Sequence, residues 1–235
     1  MKARCVLRLA LYAGVAVLIL AADPNGPNVR AASTSQVVPL SADVLYDGWR
    51  GSRLIGRGVF SKTQKKLGTV RNIVLDTAGG IQAFVVEANQ EKSNPGFAYR
   101  IPWQVVDKAK LPEAIVADVA DLKQPTYGLF SEKGQAAEVS DEFRFTEITD
   151  EYARLQPGLA FGYVSDVVFT KGGTMLAILV TRDAVAGGGT YAFGFPGKIG
   201  DWSPKMSYYG LPYITPDQAT KAAVRVDIDR FKEPT

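Results

Sequence analysis

Two carboxylate pairs, Asp118 with Asp121 and Asp227 with Asp229, are close enough in sequence to share a Ca²⁺ ion or to act as an acid–base pair. Each pair precedes a proline, Pro125 or Pro234, and no loop has the ligand spacing of an EF-hand. The expected role is therefore a cap or a turn. The chain has no histidine. That removes the side chain most used for proton transfer near neutral pH, and with it Ser-His or Cys-His catalysis and His-ligated metal. The single cysteine, Cys5, lies near the N-terminus and leaves the body without a disulfide, a thiol nucleophile or a Cys-based zinc site. Gly187-Gly188-Gly189 has no Lys-Ser/Thr after it and reads as a hairpin loop, not a phosphate cradle. No catalytic residue, metal ligand or cofactor is expected.

The remaining candidates bind rather than react. Arg50, Arg53, Arg57, Lys62, Lys65, Lys66 and Arg71 follow one another with no acid between Asp47 and Asp76. Such a run is a candidate surface for anionic lipid or an acidic partner. The alternative is a solvated face, or pairing with Glu138, Asp141, Glu142, Glu147, Asp150 and Glu151. A second candidate is the stretch 197–211, which gathers Trp202, Met206, Tyr208 and Tyr209, with Tyr213 just beyond. Aromatics with Met are the usual makeup of a partner-binding surface; the alternative is that they cover the end of a β unit.

The elements that must hold these residues follow a leader. Lys2, Arg4 and Arg8 precede the apolar run Leu9–Ala22, the pattern of a signal peptide or N-terminal anchor over 1–22. The body is then expected to be periplasmic or otherwise exported, held at the cytoplasmic membrane if the leader is uncut. Residues 23–42, rich in Pro, Asn and Ser, are expected to be a disordered tether. The formal charge of +3 comes from the leader, so the body is balanced and nucleic acid is not expected as a partner.

From Asp43 onward, short Val/Ile/Phe-rich alternating runs are separated by Gly-containing turns, the signature of a small β barrel or sandwich. The pattern repeats. Gly68 and Gly162 stand 94 residues apart, and at that offset Val70 meets Val164, Val74 meets Val168, Gly79 meets Gly173 and Pro102 meets Pro196, with no gap from Leu67. A second match, "DVADLKQPT" from Asp118 with "DIDRFKEPT" from Asp227, falls at an offset of 109. It predicts an aromatic insertion in the second copy near 197–211. The expected organisation is a first unit over 43–126, an acidic connector over 127–144, and a second unit over 145–235.

The first unit resembles the PRC-barrel domain, named after the H subunit of the purple-bacterial photosynthetic reaction centre. The carrying positions are Leu54-Ile55-Gly56, Val59, Gly68, Val70, Val74, Asp76, Gly80, Val85, Pro102 and Trp103. "DVADLKQPT" resembles the short element that often follows the barrel. The second unit matches from Phe161 on, and its first strand, within "FRFTEITDEYARL", lacks the Leu-Ile-Gly start. The resemblance implies an all-β fold with short helical ends, as two tandem small closed barrels. It also implies non-catalytic binding, since the H subunit assembles on a membrane complex and a related ribosome-maturation factor binds a ribosomal protein.

The expectation is thus a non-catalytic assembly or protein-binding module of the cell envelope. The partner is a protein, with contact to a membrane surface or a homodimer as further options. Two alternatives stay open: a small or lipid-like ligand between the barrels, and a carboxylate-based hydrolase. Any site should lie where the two copies differ.

Overall fold

Alternation along the chain becomes strands at nearly every predicted place. The first half supplies β1 (Trp49–Arg50), β2 (Gly58–Ser61), β3 (Lys66–Asp76), β4 (Ile81–Ala88), β5 (Ala98–Pro102), β6 (Ile115–Ala117) and β7 (Leu129–Phe130). The second supplies β8 (Glu142–Arg144), β9 (Tyr152–Arg154), β10 (Ala160–Phe169), β11 (Met175–Thr181), β12 (Thr190–Gly194), β13 (Tyr208–Gly210) and β14 (Val224–Val226). Three short helices are α1 (Ala42–Asp47), α2 (Phe145–Ile148) and α3 (Pro216–Ala222). This computed structural model describes residues 38–88, 98–119, 129–130, 141–198, 202 and 206–231. All of them lie in one compact unit, Ser33–Thr235. The leader, most of the tether, Cys5, Asp121 and Glu138 fall outside the described residues.

The strands form two seven-stranded sheets with one plan. One runs β6-β2-β3-β4-β5-β7, the other β13-β9-β10-β11-β12-β14. Registers repeat at the offset of 94. Val59 pairs with Gly68 as Ala153 pairs with Gly162, and Val70 pairs with Val86 as Val164 pairs with Val180. Both long strands bulge at the same place, between Val70 and Asn72 and between Val164 and Asp166. The two glycines have one cause. A Cβ on Gly68 would lie 2.2 Å from the Glu87 carbonyl oxygen, and one on Gly162 would lie 2.3 Å from that of Thr181.

The equivalence reaches further than the sequence match. Val59 pairs in parallel with Ile115, and Ala153 in parallel with Tyr209, again 94 apart. Ala98 pairs with Phe130, and Ala192 with Val224. The expected insertion near 197–211 is therefore not there, because the path from β12 to β13 is as long as that from β5 to β6. The match at 109 joins non-equivalent places: Asp118 follows β6, whereas Asp227 follows β14. The weak start of the second unit is also resolved. Ile148-Thr149-Asp150 takes the place of Leu54-Ile55-Gly56, with Leu54 and Ile148 both fully buried. Gly56 and Asp150 share positive φ, 83° and 70°, a conformation that aspartate tolerates better than most residues.

The first strand of each half joins the other half's sheet. β1 pairs with β10, Trp49 opposite Phe169, and β8 pairs with β3, Phe143 opposite Leu75. Part of the stretch expected to be a connector is thus a strand of the first sheet, as is β7. Two closed barrels are not formed among the described residues. β2 uses only the first part of the β3 edge, the exchanged β8 takes the last part, and no pairing joins β6 to β7.

Two polar contacts lock the exchange. Asp166, 1% exposed, accepts from Arg50 Nε at 2.9 Å, from the Ser52 amide at 3.0 Å, from the Ser52 hydroxyl and from the Val167 amide at 2.8 Å. At the equivalent place Asn72 donates to Thr146 Oγ1 at 2.7 Å, and its side-chain oxygen accepts from the amides of Thr146 and Ile73. The hairpin tips meet in the same reciprocal way: Ile81 N donates to Gly173 O at 2.9 Å, and Met175 N donates to Gly79 O at 2.8 Å. The inner faces of both sheets fill one core, with Phe84, Ile73 and Ile101 from one and Phe169, Ile178 and Val164 from the other fully buried. The outer face of β10–β12, at Val168, Leu179 and Ala192, is covered by Leu45 of α1 and by Phe231.

Two outcomes follow for thermal melts. Asp166→Ala leaves Arg50 without its buried partner and should cost about 3–5 kcal/mol, while Asp166→Asn, which imports the first half's residue, costs clearly less. Gly68→Ala should destabilise by about 1–3 kcal/mol or more through its backbone clash. Gly210→Ala, where a Cβ meets nothing within 4 Å, is the matched control and should stay close to wild type.

Candidate functional site

Among the described residues, the candidate carboxylates hold a turn and a surface pair. Asp227 caps the turn that follows it, accepting from the Asp229 amide at 3.1 Å, and Asp118 is ion-paired with Lys62 at 2.7 Å on the surface. Among the described residues, no group of three or more His, Cys, Asp or Glu is placed to hold a metal ion.

Part of the basic run is engaged within the molecule. Arg50 is committed to Asp166, Arg57 donates to the Glu113 carbonyl at 2.7 Å, and Arg71 pairs with Glu87. Arg53 lies just after β1, Lys62 and Lys65 lie in the β2–β3 turn, and Lys66 opens β3. Two of the acids expected as partners pair elsewhere: Glu142 with Arg100 and Glu147 with Arg144.

The aromatic group divides. Trp202 is buried edge-on against Phe143, with ring centroids 5.1 Å apart, and Tyr209 is buried in the main core. Met206 and Tyr213 pack against that core. Four of the five residues therefore cover the second half's interior, and only Tyr208 is exposed.

Tyr208 is one of a row. It stands opposite Tyr152 of β9, which stands opposite Tyr163 of β10, which stands opposite Thr181 of β11. All three tyrosines are solvent-exposed. The row continues as hydroxyls, Thr181 hydrogen-bonding to Ser165 at 2.9 Å and to Thr190 at 3.0 Å. Arg154 lies beside it, its guanidinium 5.7 Å from the Tyr152 ring and 5.6 Å from the Tyr208 ring, close enough for cation–π attraction. Its Nε is buried without a partner. Arg182, at the end of β11, is stacked 4.6 Å from the Phe161 ring and likewise has a buried, unpartnered Nε.

The turns at this end are apolar. Leu159 tips the β9–β10 turn, Val185 the β11–β12 turn, and Ile214 the loop after β13. Gln156 N bonds to Tyr213 O at 2.9 Å, which sets the first and third side by side. Among the described residues, six of the seven exposed large hydrophobics belong to this end, and only Val44 does not. Among the described residues, the first half has smaller or polar groups at the matching places. Ala114, Gly58 and Thr69 occupy the tyrosine places, Phe60 that of Arg154, and Lys65 that of Leu159. Sequence reasoning found Tyr208 alone, because Tyr152 and Tyr163 are separated from it in the chain and meet only through register. The usable signal was small residues facing Tyr at the constant offset.

Burial, aided by the neighbouring Tyr213, raises the Tyr209 hydroxyl well above the usual tyrosine range. Its folded pKa exceeds its unfolded one, so its contribution is fully present below about pH 10 and is lost as pH rises, when only the unfolded chain ionises readily. Tyr209→Phe should therefore flatten the alkaline fall in stability, by up to about 1.4 kcal/mol per pH unit above 10 in chemical-denaturation series.

No curated protein matches the chain. The family model of the PRC-barrel domain matches residues 47–121, the stretch that carries β1 to β6, the buried Leu54 and Val59, and the glycines at 56 and 68. Over residues 47–121, about a third of its length, the chain is therefore similar to the PRC-barrel domain family.

Proposed function

We propose that the chain is a non-catalytic docking module of the cell envelope, built from two PRC-type units and used to hold a protein or a membrane complex in place. One observation carries this reading. The two halves share a tightly packed scaffold, and the second departs from it by placing a tyrosine row and apolar turns where the first has Ala114, Gly58, Thr69 and Lys65. A monomeric soluble surface seldom concentrates exposed apolar groups in this way without using them. The basic start and apolar run of residues 2–22 support an exported body. Among the described residues, no helix is long and apolar enough to cross a membrane.

The reading is tested by giving the row small side chains: Tyr163→Thr and Tyr208→Ala, as in the first half, with Tyr152→Thr. In gently solubilised envelopes the wild type should elute as part of a larger species and the triple variant as the free chain, with melting temperatures within a few degrees. A wild type that elutes free under every mild condition ends the proposal.

A further inference from the structure

The end of the second sheet remote from the hairpin contact has the layout of a bilayer-contacting surface. Three separate turns project there, and each carries an aliphatic side chain into solvent: Val185 is 102% exposed, Leu159 57% and Ile214 56%. Two of these turns lie side by side. A folded protein partner would need fitted pockets for such protruding tips, whereas acyl chains fill around them at no such cost. Set back by two residue pairs from the Arg154–Ala160 pair stands the Tyr208–Tyr152–Tyr163 row. Tyrosine, with an apolar ring and a polar tip, is the side chain expected at headgroup level behind inserted aliphatics.

Charge supports the same occupant. Arg154, Arg182, Lys221 and Arg225 stand around this end against Glu151, Asp183 and Asp217. The near balance points to contact made by apolar insertion rather than by attraction to anionic lipid. The equivalent turn of the first half, Ser61-Lys62-Thr63-Gln64-Lys65, has neither aliphatic nor aromatic residues. The Leu9–Ala22 run also bears on the occupant. In the anchored form of the reading above, the stretch from 23 to 37 holds the body within about 50 Å of the bilayer.

We propose that this end sits on a lipid bilayer, with Leu159, Val185 and Ile214 inserted and Tyr152, Tyr163 and Tyr208 at the headgroups. The proposal rests on the docking reading and names the surface on which the module docks.

The test uses the full chain with Cys5→Ser and a single nitrobenzoxadiazole label at Leu159→Cys, Val185→Cys, Ile214→Cys or, as control, Lys65→Cys. Vesicles are phosphatidylcholine alone or with phosphatidylglycerol, each carrying a lipid-borne spin quencher. The expected result is quenching at 159, 185 and 214, none at 65, little dependence on phosphatidylglycerol, and persistence in high salt. Leu159→Asp with Ile214→Asp should shift residue 185 towards the free state by roughly tenfold for each aliphatic lost. Labels that stay unquenched at all three turns overturn the proposal. So does quenching at 65 that needs phosphatidylglycerol, which would assign lipid contact to the first half's lysines. Shielding of the turns by envelope protein but not by vesicles also overturns it, while leaving the docking reading intact. If the turns are unquenched and the tyrosine variant still elutes with wild type, both readings fall.

Discussion

Asp166 holds a carboxylate where water does not reach, and its charge is tolerated because four donors converge on it. Burying a lone carboxylate would cost several kcal/mol, so the donors are a condition of folding and not a refinement. Two of the groups that meet it, Arg50 and Ser52, lie over a hundred residues earlier in the chain. They reach Asp166 only when β1 lies against β10. The same arrangement recurs with neutral groups at Asn72 and Thr146, where β8 lies against β3. Both clasps sit beside a bulge, which turns the 72 and 166 side chains towards the incoming strand.

Neither sheet is complete without a strand from the other half. The core reflects this, since Trp49 of the first half stacks on Phe169 of the second, with ring centroids 4.8 Å apart, and Phe143 of the second half lies opposite Leu75 of the first. Gly79 and Gly173 let the hairpin tips approach closely enough for Phe195 and Trp103 to pack over them. The duplication is therefore one folding unit. A chain cut between the halves would expose a pairing edge on each, together with the apolar residues that β1 and β8 cover.

The repeat, the β class and the first unit's family were legible because they rest on local signals: alternation, turn glycines and a gap-free offset through Leu67–Pro102. The strand exchange was not, although Trp49-Arg50 and Phe143-Arg144 stand at the same offset. Two residues carry no periodicity, and pairing between distant segments leaves no mark in either segment alone. The offset of 109 misled because an Asp-started, Pro-stopped turn is a local device that recurs in non-equivalent places. It drew attention to Trp202 and Tyr209 as additions, whereas they fill the interior beside β8 and β9. Of the surface group only Tyr208 was found, since the row exists across strands and not along one.

Where the copies diverge follows from where the scaffold leaves freedom. The clasps, the paired glycines and the hairpin contact each fix residues in both halves at once, since a change on one side strands a group on the other. The far ends of the sheets have no such counterpart. Position 58 is glycine in the first half, where a Cβ would crowd the Phe60 ring, and tyrosine at 152 in the second, where Arg154 replaces that phenylalanine and lies over the tyrosine. Similarly, the turn that needs positive φ is held by Gln64 in one copy and Gly158 in the other, leaving the next residue free to be Lys65 or Leu159. Sequence change at these ends alters what the molecule can touch without disturbing how it folds. A duplicated, strand-exchanged scaffold therefore confines its specificity to its ends, and here the exposed aromatic and aliphatic groups are concentrated at one of them.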